Sequence, residues 1–173
     1  MDLTPPLSAE DHVEGPDRAE LELVTYGDFQ CPYCTAAYPI LKRVRDRLGP
    51  RLLFAFRHFP LREIHPAAEL AAEASEAAAD QGAFWQMHDR LYESRGALGR
   101  EDLIGYAGEL GLDVDRVTRE LDSGVHAERV QRDLDGGLAS GITGTPAFFV
   151  GGRLHRGSFD ASSLISALEA STA

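Results

Sequence analysis

Tyr26-Gly27-Asp28-Phe29-Gln30-Cys31-Pro32-Tyr33-Cys34 joins a short apolar run to a longer periodic one. Upstream, Leu21-Glu22-Leu23-Val24-Thr25-Tyr26 alternates in part, favours extended backbone and is closed by Gly27-Asp28, which predicts a strand. Downstream, over residues 35–48, Ala37, Ile40, Leu41, Val44 and Leu48 recur at three- and four-residue steps. That spacing predicts an amphipathic helix, ended by Gly49-Pro50. The cysteine pair therefore opens a helix that follows a strand. A second strand, Leu52-Leu53-Phe54-Ala55-Phe56, comes almost at once, and a β-α-β start of this kind favours a parallel pair with a right-handed crossover.

Beyond the second strand the pattern turns helical from residue 66 to about residue 140. Leu70, Ala71, Ala74, Ala77 and Ala78 form a small-residue face, and Glu69, Glu73 and Glu76 are read as its solvated side. Phe84, Trp85, Met87, His88, Leu91 and Tyr92 mark the next helix, with the stripe read as core. Shorter helices are expected over residues 103–110, 115–121 and 126–138. The strand pattern returns with Ala147-Phe148-Phe149-Val150, a Gly151-Gly152 turn and Arg153-Leu154-His155-Arg156, before a last helix over residues 162–169. Residues 1–20, rich in proline and acid and without periodicity, are read as an arm or a loosely attached edge segment.

Composition bounds the function. The 173 residues are 43% apolar and 26% charged, the profile of one globular domain with a real core. A formal charge of −11 repels nucleic-acid phosphates and anionic lipids, so no nucleic-acid partner is expected. Charged residues or proline interrupt every apolar run before the ~18 residues that span a bilayer, so membrane insertion is not expected either. The first residues, Met1-Asp2-Leu3-Thr4-Pro5-Pro6, have no basic start and no apolar h-region, and a cytoplasmic location is the expectation.

The chain has two cysteines, Cys31 and Cys34, in one C-x-x-C. A structural disulfide closing so short a loop gains little, and a zinc site needs two further ligands that no second C-x-x-C or H-x3-5-H supplies. A redox pair fits better. At a helix start the Cys31 thiolate faces unpaired backbone N–H groups and the positive end of the helix dipole, which lowers its pKa. Cys34, one turn on, is placed to attack a mixed disulfide formed at Cys31 and release the partner. Pro32 offers no N–H and leaves the remaining amides to the sulfur, while Tyr33 presents an aromatic surface beside it. Gly144-Thr145-Pro146, just before a strand, fits a cis-proline turn that exposes the Thr145 backbone to an incoming peptide.

These residues resemble the thioredoxin superfamily, specifically its DsbA-like branch. The matching stretches are the segment from Tyr26 to Cys34, Arg57-His58-Phe59-Pro60-Leu61 with His65-Pro66, Phe84-Trp85-Gln86-Met87-His88, and Gly141-Ile142-Thr143-Gly144-Thr145-Pro146-Ala147-Phe148-Phe149-Val150. The resemblance implies an α/β thioredoxin fold with an inserted helical domain: an arm over 1–20, a thioredoxin-like domain over 21–65 and 141–173, and the insert over 66–140. It implies that Cys31 is the nucleophile, Cys34 the resolving thiol and Pro146 a cis-proline facing them. Phe29, Pro32, Tyr33 and Thr145 are the expected substrate-binding residues. No metal or cofactor is expected; the implied partners are disulfide- or thiol-containing proteins and a redox recycling partner. Relatives often carry Glu six residues before the first cysteine; this chain has Thr25, so a carboxylate proton relay at that place is not implied.

Two other functions fit the same residues. The Pro-Tyr dipeptide also resembles glutaredoxins, which would make glutathione or another small thiol the partner, although glutaredoxins lack the large helical insert. A non-catalytic peptide-binding or chaperone module using the groove around Phe29, Tyr33 and Pro146 is the alternative from outside enzymology. His58 is read as a histidine packed at the end of the second strand. The basic run of Lys42, Arg43, Arg45, Arg47 and Arg51 is read as a solvated helix face that favours acidic partners.

Overall fold

A computed structural model describes residues 1–172. Its centre is a five-stranded sheet in the order His12–Glu14 (β1), Leu52–His58 (β3), Leu21–Gly27 (β2), Ala147–Val150 (β4), Arg153–Leu154 (β5). Leu21–Gly27 (β2) and Leu52–His58 (β3) run parallel, joined by the helix Pro32–Leu48 (α1). Both strands are buried along nearly their whole length; β3 opens with the continuous apolar run Leu52 to Phe56, while Glu22 and Thr25 interrupt β2. Ala147–Val150 (β4) returns antiparallel against β2, with Thr25 opposite Phe148, and Arg153–Leu154 (β5) closes that edge. Ala161–Ala170 (α7) packs with α1 over one face, around Leu23, Val44, Phe54, Leu164 and Leu168.

Residues 68–139 hold helices and no strand: Ala68–Ala79 (α2), Phe84–Tyr92 (α3), Arg100–Glu109 (α4), Val114–Ser123 (α5) and Ala127–Ala139 (α6). Helix α2 packs against α3, α4, α5 and α6, which its alanines allow by bringing backbones close. This corrects the reading of its glutamates. Glu69 pairs with Arg62 at the surface, but Glu73 and Glu76 are 6% and 5% exposed. A helix surrounded on all sides has no solvated face.

The N-terminal segment is tied to both edges of the sheet. His12–Glu14 (β1) pairs antiparallel with β3, placing Val13 opposite Ala55. At the opposite edge the Leu3 N–H donates to the Gly152 carbonyl at 2.8 Å, and the Leu3 side chain is buried. Between these points Asp11 grips buried Arg57 through two bonds, 2.7 Å to Nε and 2.9 Å to Nη2. The anchorage is largely polar, which is why no apolar period announced it.

Helix α6 crosses close to this segment and to β2. Among its residues, a Cβ on Gly137 would lie 2.5 Å from the Phe59 ring, so glycine is what permits the approach. The basic run on and just after α1 is partly neutralised: Arg45 pairs with Glu14 and lies over Phe54 and Trp85, and Arg51, in the turn after the helix, meets Glu20 and Glu169. Among the described residues no helix is long and apolar enough to cross a membrane.

Candidate active site

The end of β2 and the start of α1 deliver the two cysteines. Cys31 is the N-cap of α1, with φ −68° and ψ 121°, and Pro32 occupies the first helical position, where a missing N–H costs nothing. Both cysteines are free and buried, on the same turn as the exposed Pro32 and Tyr33. The loop before β4 approaches from the far end of the chain, and its Thr145–Pro146 peptide bond is cis. The Cys31 Sγ lies 3.5 Å from the Thr145 carbonyl oxygen, to which the protonated thiol donates.

The two thiols are driven apart in acidity. Hydrogen bonding from the Cys34 thiol does most to lower the Cys31 pKa to about 5, against burial that raises it and with further help from Thr145 and the Cys34 and Tyr33 amides. Cys34 moves the other way, pushed well above the ordinary thiol range by burial and then by the hydrogen bond it gives Cys31. One sulfur is thus a thiolate at neutral pH while its neighbour keeps its proton. The Thr145 hydroxyl is buried and has no other partner, which leaves it free to turn toward the sulfur.

Behind Cys34 lies a small, mostly apolar space lined by Thr25, Tyr38, His88, Tyr92 and Pro146. Thr25 is buried and its hydroxyl is without a partner. His88 is buried beneath Phe56 and Tyr92 and hydrogen-bonds Asp89, and burial pushes its pKa down. It adds no charge to the site.

Of the expected substrate-binding residues, Tyr33 is 68% exposed and Pro32 is exposed, while Thr145 and Pro146 are half-buried. Phe29 is different. It is 3% exposed, stacked on Phe56 at 5.4 Å and packed against Tyr92, so it belongs to the interior and lines no groove. An aromatic in a turn that dives between β3 and α3 is withdrawn from water by the helical insert, which its place in the sequence did not reveal. An open groove does run from Pro146 past Phe148, His155 and Phe159.

Asp28 is a functional-site residue that sequence pattern did not single out. Its carboxylate accepts the Gln30 and Cys31 N–H groups at 2.8 and 3.1 Å. The signal was present: an aspartate two to three residues before a helix start commonly caps the turn.

His12, His58 and Glu76 are a buried group with metal-ligand chemistry. Both histidine Nε2 atoms lie 2.7 Å from the same oxygen, Glu76 Oε1, Phe84 stacks on His12 at 3.6 Å, and Arg129 approaches the other carboxylate oxygen. The donor set is engaged in hydrogen bonds beside a guanidinium, and it fastens β1 and β3 to α2. His58 is indeed packed at the end of β3. Asp80, Glu120 and His126 form a second, more exposed group, in which Arg116 and His126 already pair with Glu120.

A family model described as the DSBA-like thioredoxin domain matches residues 22–169. Among curated proteins, the chain is 49% identical over 172 residues to the Na(+)/H(+) antiporter NhaA of Herminiimonas arsenicoxydans, covering 99% of this chain and 27% of that protein. It is 44% identical over 169 residues to the Na(+)/H(+) antiporter NhaA 1 of Salinispora arenicola, covering 97% and 26%. The chain spans about a quarter of the length of these relatives. Among solved structures, it superposes on oxidised BdbD from Bacillus subtilis with a TM-score of 0.84 at 22% identity, over 92% of this chain and 91% of that one. A thioredoxin-like oxidoreductase from Silicibacter pomeroyi gives a TM-score of 0.83 at 24% identity, over 94% and 92%.

Proposed function

Because the chain belongs to the DSBA-like thioredoxin domain family, we propose that it is a thiol–disulfide oxidoreductase working through Cys31 as nucleophile and Cys34 as resolving thiol. The observation that carries this reading is the placement of Cys31 at the N-cap of α1, between the Cys34 thiol and the Thr145 carbonyl, with its pKa held near 5.

The chemistry balances without a cofactor. The Cys31 thiolate attacks one sulfur of a substrate disulfide; a new S–S bond forms at Cys31 and the other substrate sulfur leaves as a thiolate. Cys34 then gives up its proton to a leaving sulfur and attacks Cys31 Sγ, releasing the second substrate sulfur and closing the Cys31–Cys34 disulfide. The substrate gains two electrons and two protons; the protein supplies both electrons and the Cys34 proton, and water supplies the second proton, the one Cys31 released on ionising. In reverse the same steps oxidise a substrate dithiol, and a recycling partner restores the starting state. Burial of Cys34 supports the order of events, since a protonated resolving thiol does not compete for the first attack.

Tyr33 and Pro32 on the outer rim, with the Thr145 backbone beside Pro146, suit contact with a peptide around its disulfide. We assign protein disulfides as the substrate class on that basis. The proposal retains the cytoplasmic expectation, which cell fractionation with state-specific thiol labelling tests.

The test of the function is turnover of a dithiol-coupled disulfide substrate. Cys31→Ser is expected to abolish it, and Cys34→Ser to accumulate a covalent adduct between Cys31 and substrate. Turnover that survives Cys31→Ser removes the mechanism, and undiminished peptide binding by the double variant with no wild-type turnover favours a binding module.

A further inference from the structure

Asp28, three residues before Cys31, buries its side chain completely and surrounds it with four donors. Oδ1 serves the turn that delivers the nucleophile, through the Gln30 and Cys31 N–H groups. Oδ2 serves the loop between β3 and α2: it accepts the Leu61 N–H at 2.9 Å and meets His65 Nδ1 at 2.7 Å. A second tie joins the same two segments, the Ala67 N–H donating to Gln30 Oε1 at 2.7 Å. A buried carboxylate is costly unless its charge is compensated. Three of its donors are neutral amides, and His65 is the one among the four able to carry positive charge.

We propose that His65 is a positioning residue for Cys31, acting through Asp28. His65 holds the carboxylate in the orientation that fixes the Cys31 amide, and so registers the entrance of the helical insert to the nucleophile. The inference deepens the thiol–disulfide reading above and rests on it for what Cys31 does. Without His65, Oδ2 keeps a single backbone donor; the carboxylate is then free to turn or draw in water. The N-cap geometry that aims the Cys31 sulfur at the first-turn amides loosens, which disfavours the thiolate.

His65 has 14% of its side chain exposed, so replacing it does not open the core. Three reduced variants, His65→Ala, His65→Asn and Gln30→Ala, are compared with the wild type by ultraviolet thiolate titration and by alkylation rate at fixed pH. Thermal midpoints are recorded separately. His65→Ala is expected to raise the Cys31 titration by about half a unit or more, roughly a threefold fall in the thiolate-to-thiol ratio. His65→Asn, whose side-chain N–H falls near the place of Nδ1, is expected to recover part of the shift. Gln30→Ala, which cuts only the second tie, is expected to leave the titration in place.

An unchanged titration in His65→Ala overturns the proposal, and a lower thermal midpoint with an unchanged titration overturns it too, because His65 would then be a structural tie alone. If the alanine variant does not fold, His65→Leu gives the same reading in a side chain that fills the space without a donor. The titration does not depend on turnover. A wild type with no disulfide turnover but a His65-dependent titration removes the oxidoreductase reading and leaves the Asp28–His65 link standing.

Discussion

The Cys31 sulfur lies 3.5 Å from the carbonyl oxygen of Thr145, a residue 114 positions away in the chain. That contact joins the strand-to-helix turn at one end of the molecule to the loop that enters β4. It places the thiol against the backbone beside the cis Thr145–Pro146 peptide bond.

The acidity of Cys31 gives a pH profile. With its pKa lowered from 9.0 to about 5, the alkylation rate of the reduced protein should climb through pH 5 and be level by neutrality. An ordinary thiol, with a pKa of ~8.5, would still be gaining thiolate at neutral pH. The sign for stability follows: a group whose folded pKa is depressed adds stability that is complete above its unfolded pKa and is lost as pH falls through the folded value. Thermal melts of the reduced protein against Cys31→Ser should therefore show an advantage that grows from about pH 5 toward pH 9. A flat difference across that window would contradict the thiolate assignment.

A stabilised thiolate favours the dithiol state over the disulfide. We expect the reduction potential of the Cys31–Cys34 pair to lie nearer ~−120 mV, the oxidising end of the family, than ~−270 mV, the thioredoxin value. Equilibration against graded glutathione ratios, read by thiol labelling, measures it. A value at the thioredoxin end would mean that contacts other than those at Cys31 favour the oxidised state, and the steps would run in the direction that reduces the substrate; the expected value runs them in reverse, as oxidation of a substrate dithiol.

Removing Arg57 should loosen the whole N-terminal segment. The guanidinium is 3% exposed and donates to Asp11, to the Pro5 and Pro6 carbonyls and to the Tyr26 hydroxyl. Arg57→Ala leaves Asp11 buried without its partner, a change that costs ~3–5 kcal/mol in comparable pairs, measurable by urea unfolding. Burial pushes the Asp11 carboxyl up, but the Arg57 hydrogen bonds, the Ser8 amide and the charges of Arg57 and Arg129 outweigh it and hold it below its ordinary value of 3.8. Its stabilisation is thus present above that value and is lost as pH falls below it. Asp11→Asn should blunt the acid limb of the stability curve; an unaltered acid limb would show that the pair is not what unfolds first.

Gly137 is where α6 meets the sheet. A methyl group there would fall 2.5 Å from Phe59 and 3.1 Å from Tyr26, both buried rings. Gly137→Ala gains helix propensity but must move an aromatic core, and overpacking of this kind costs ~1–3 kcal/mol. The same change at Gly105, where a Cβ meets nothing within 4 Å, is the control and should be neutral or stabilising. Equal effects at the two sites would argue against close packing of α6.

Much of the architecture was legible because it is written at short range. The periods before and after Cys31, the glycine and proline stops, and the helical stretch between two strand regions all survive in the structure, with ends shifted by a few residues. What was not legible involves residues whose environment is set by distant neighbours. Glu73 and Glu76 occupy helix positions that look solvated by spacing, yet both are buried, Glu76 against His12, His58 and Arg129 and Glu73 beside Gly124. Phe29 looked like a groove residue beside the cysteines, yet α3 and β3 enclose it. Residues 1–20 had no period to read, because Asp11, His12 and Leu3 are held by Arg57, Glu76 and the Gly152 backbone.

By itself the sequence determined a cysteine pair on the first turn of a helix that follows a strand. A three-residue spacing and a proline at the first helical position set that arrangement within a single turn. The same local turn lowers the pKa of Cys31; tertiary structure decided the burial that raises that of Cys34 and what surrounds the pair: Thr145 over Cys31, Asp28 shared between the Cys31 turn and His65, Tyr92 and His88 behind Cys34. The reason is physical. Backbone preference and side-chain period act over a few residues and are carried by residue type, whereas desolvation and hydrogen bonding depend on which distant segments the sheet order brings together.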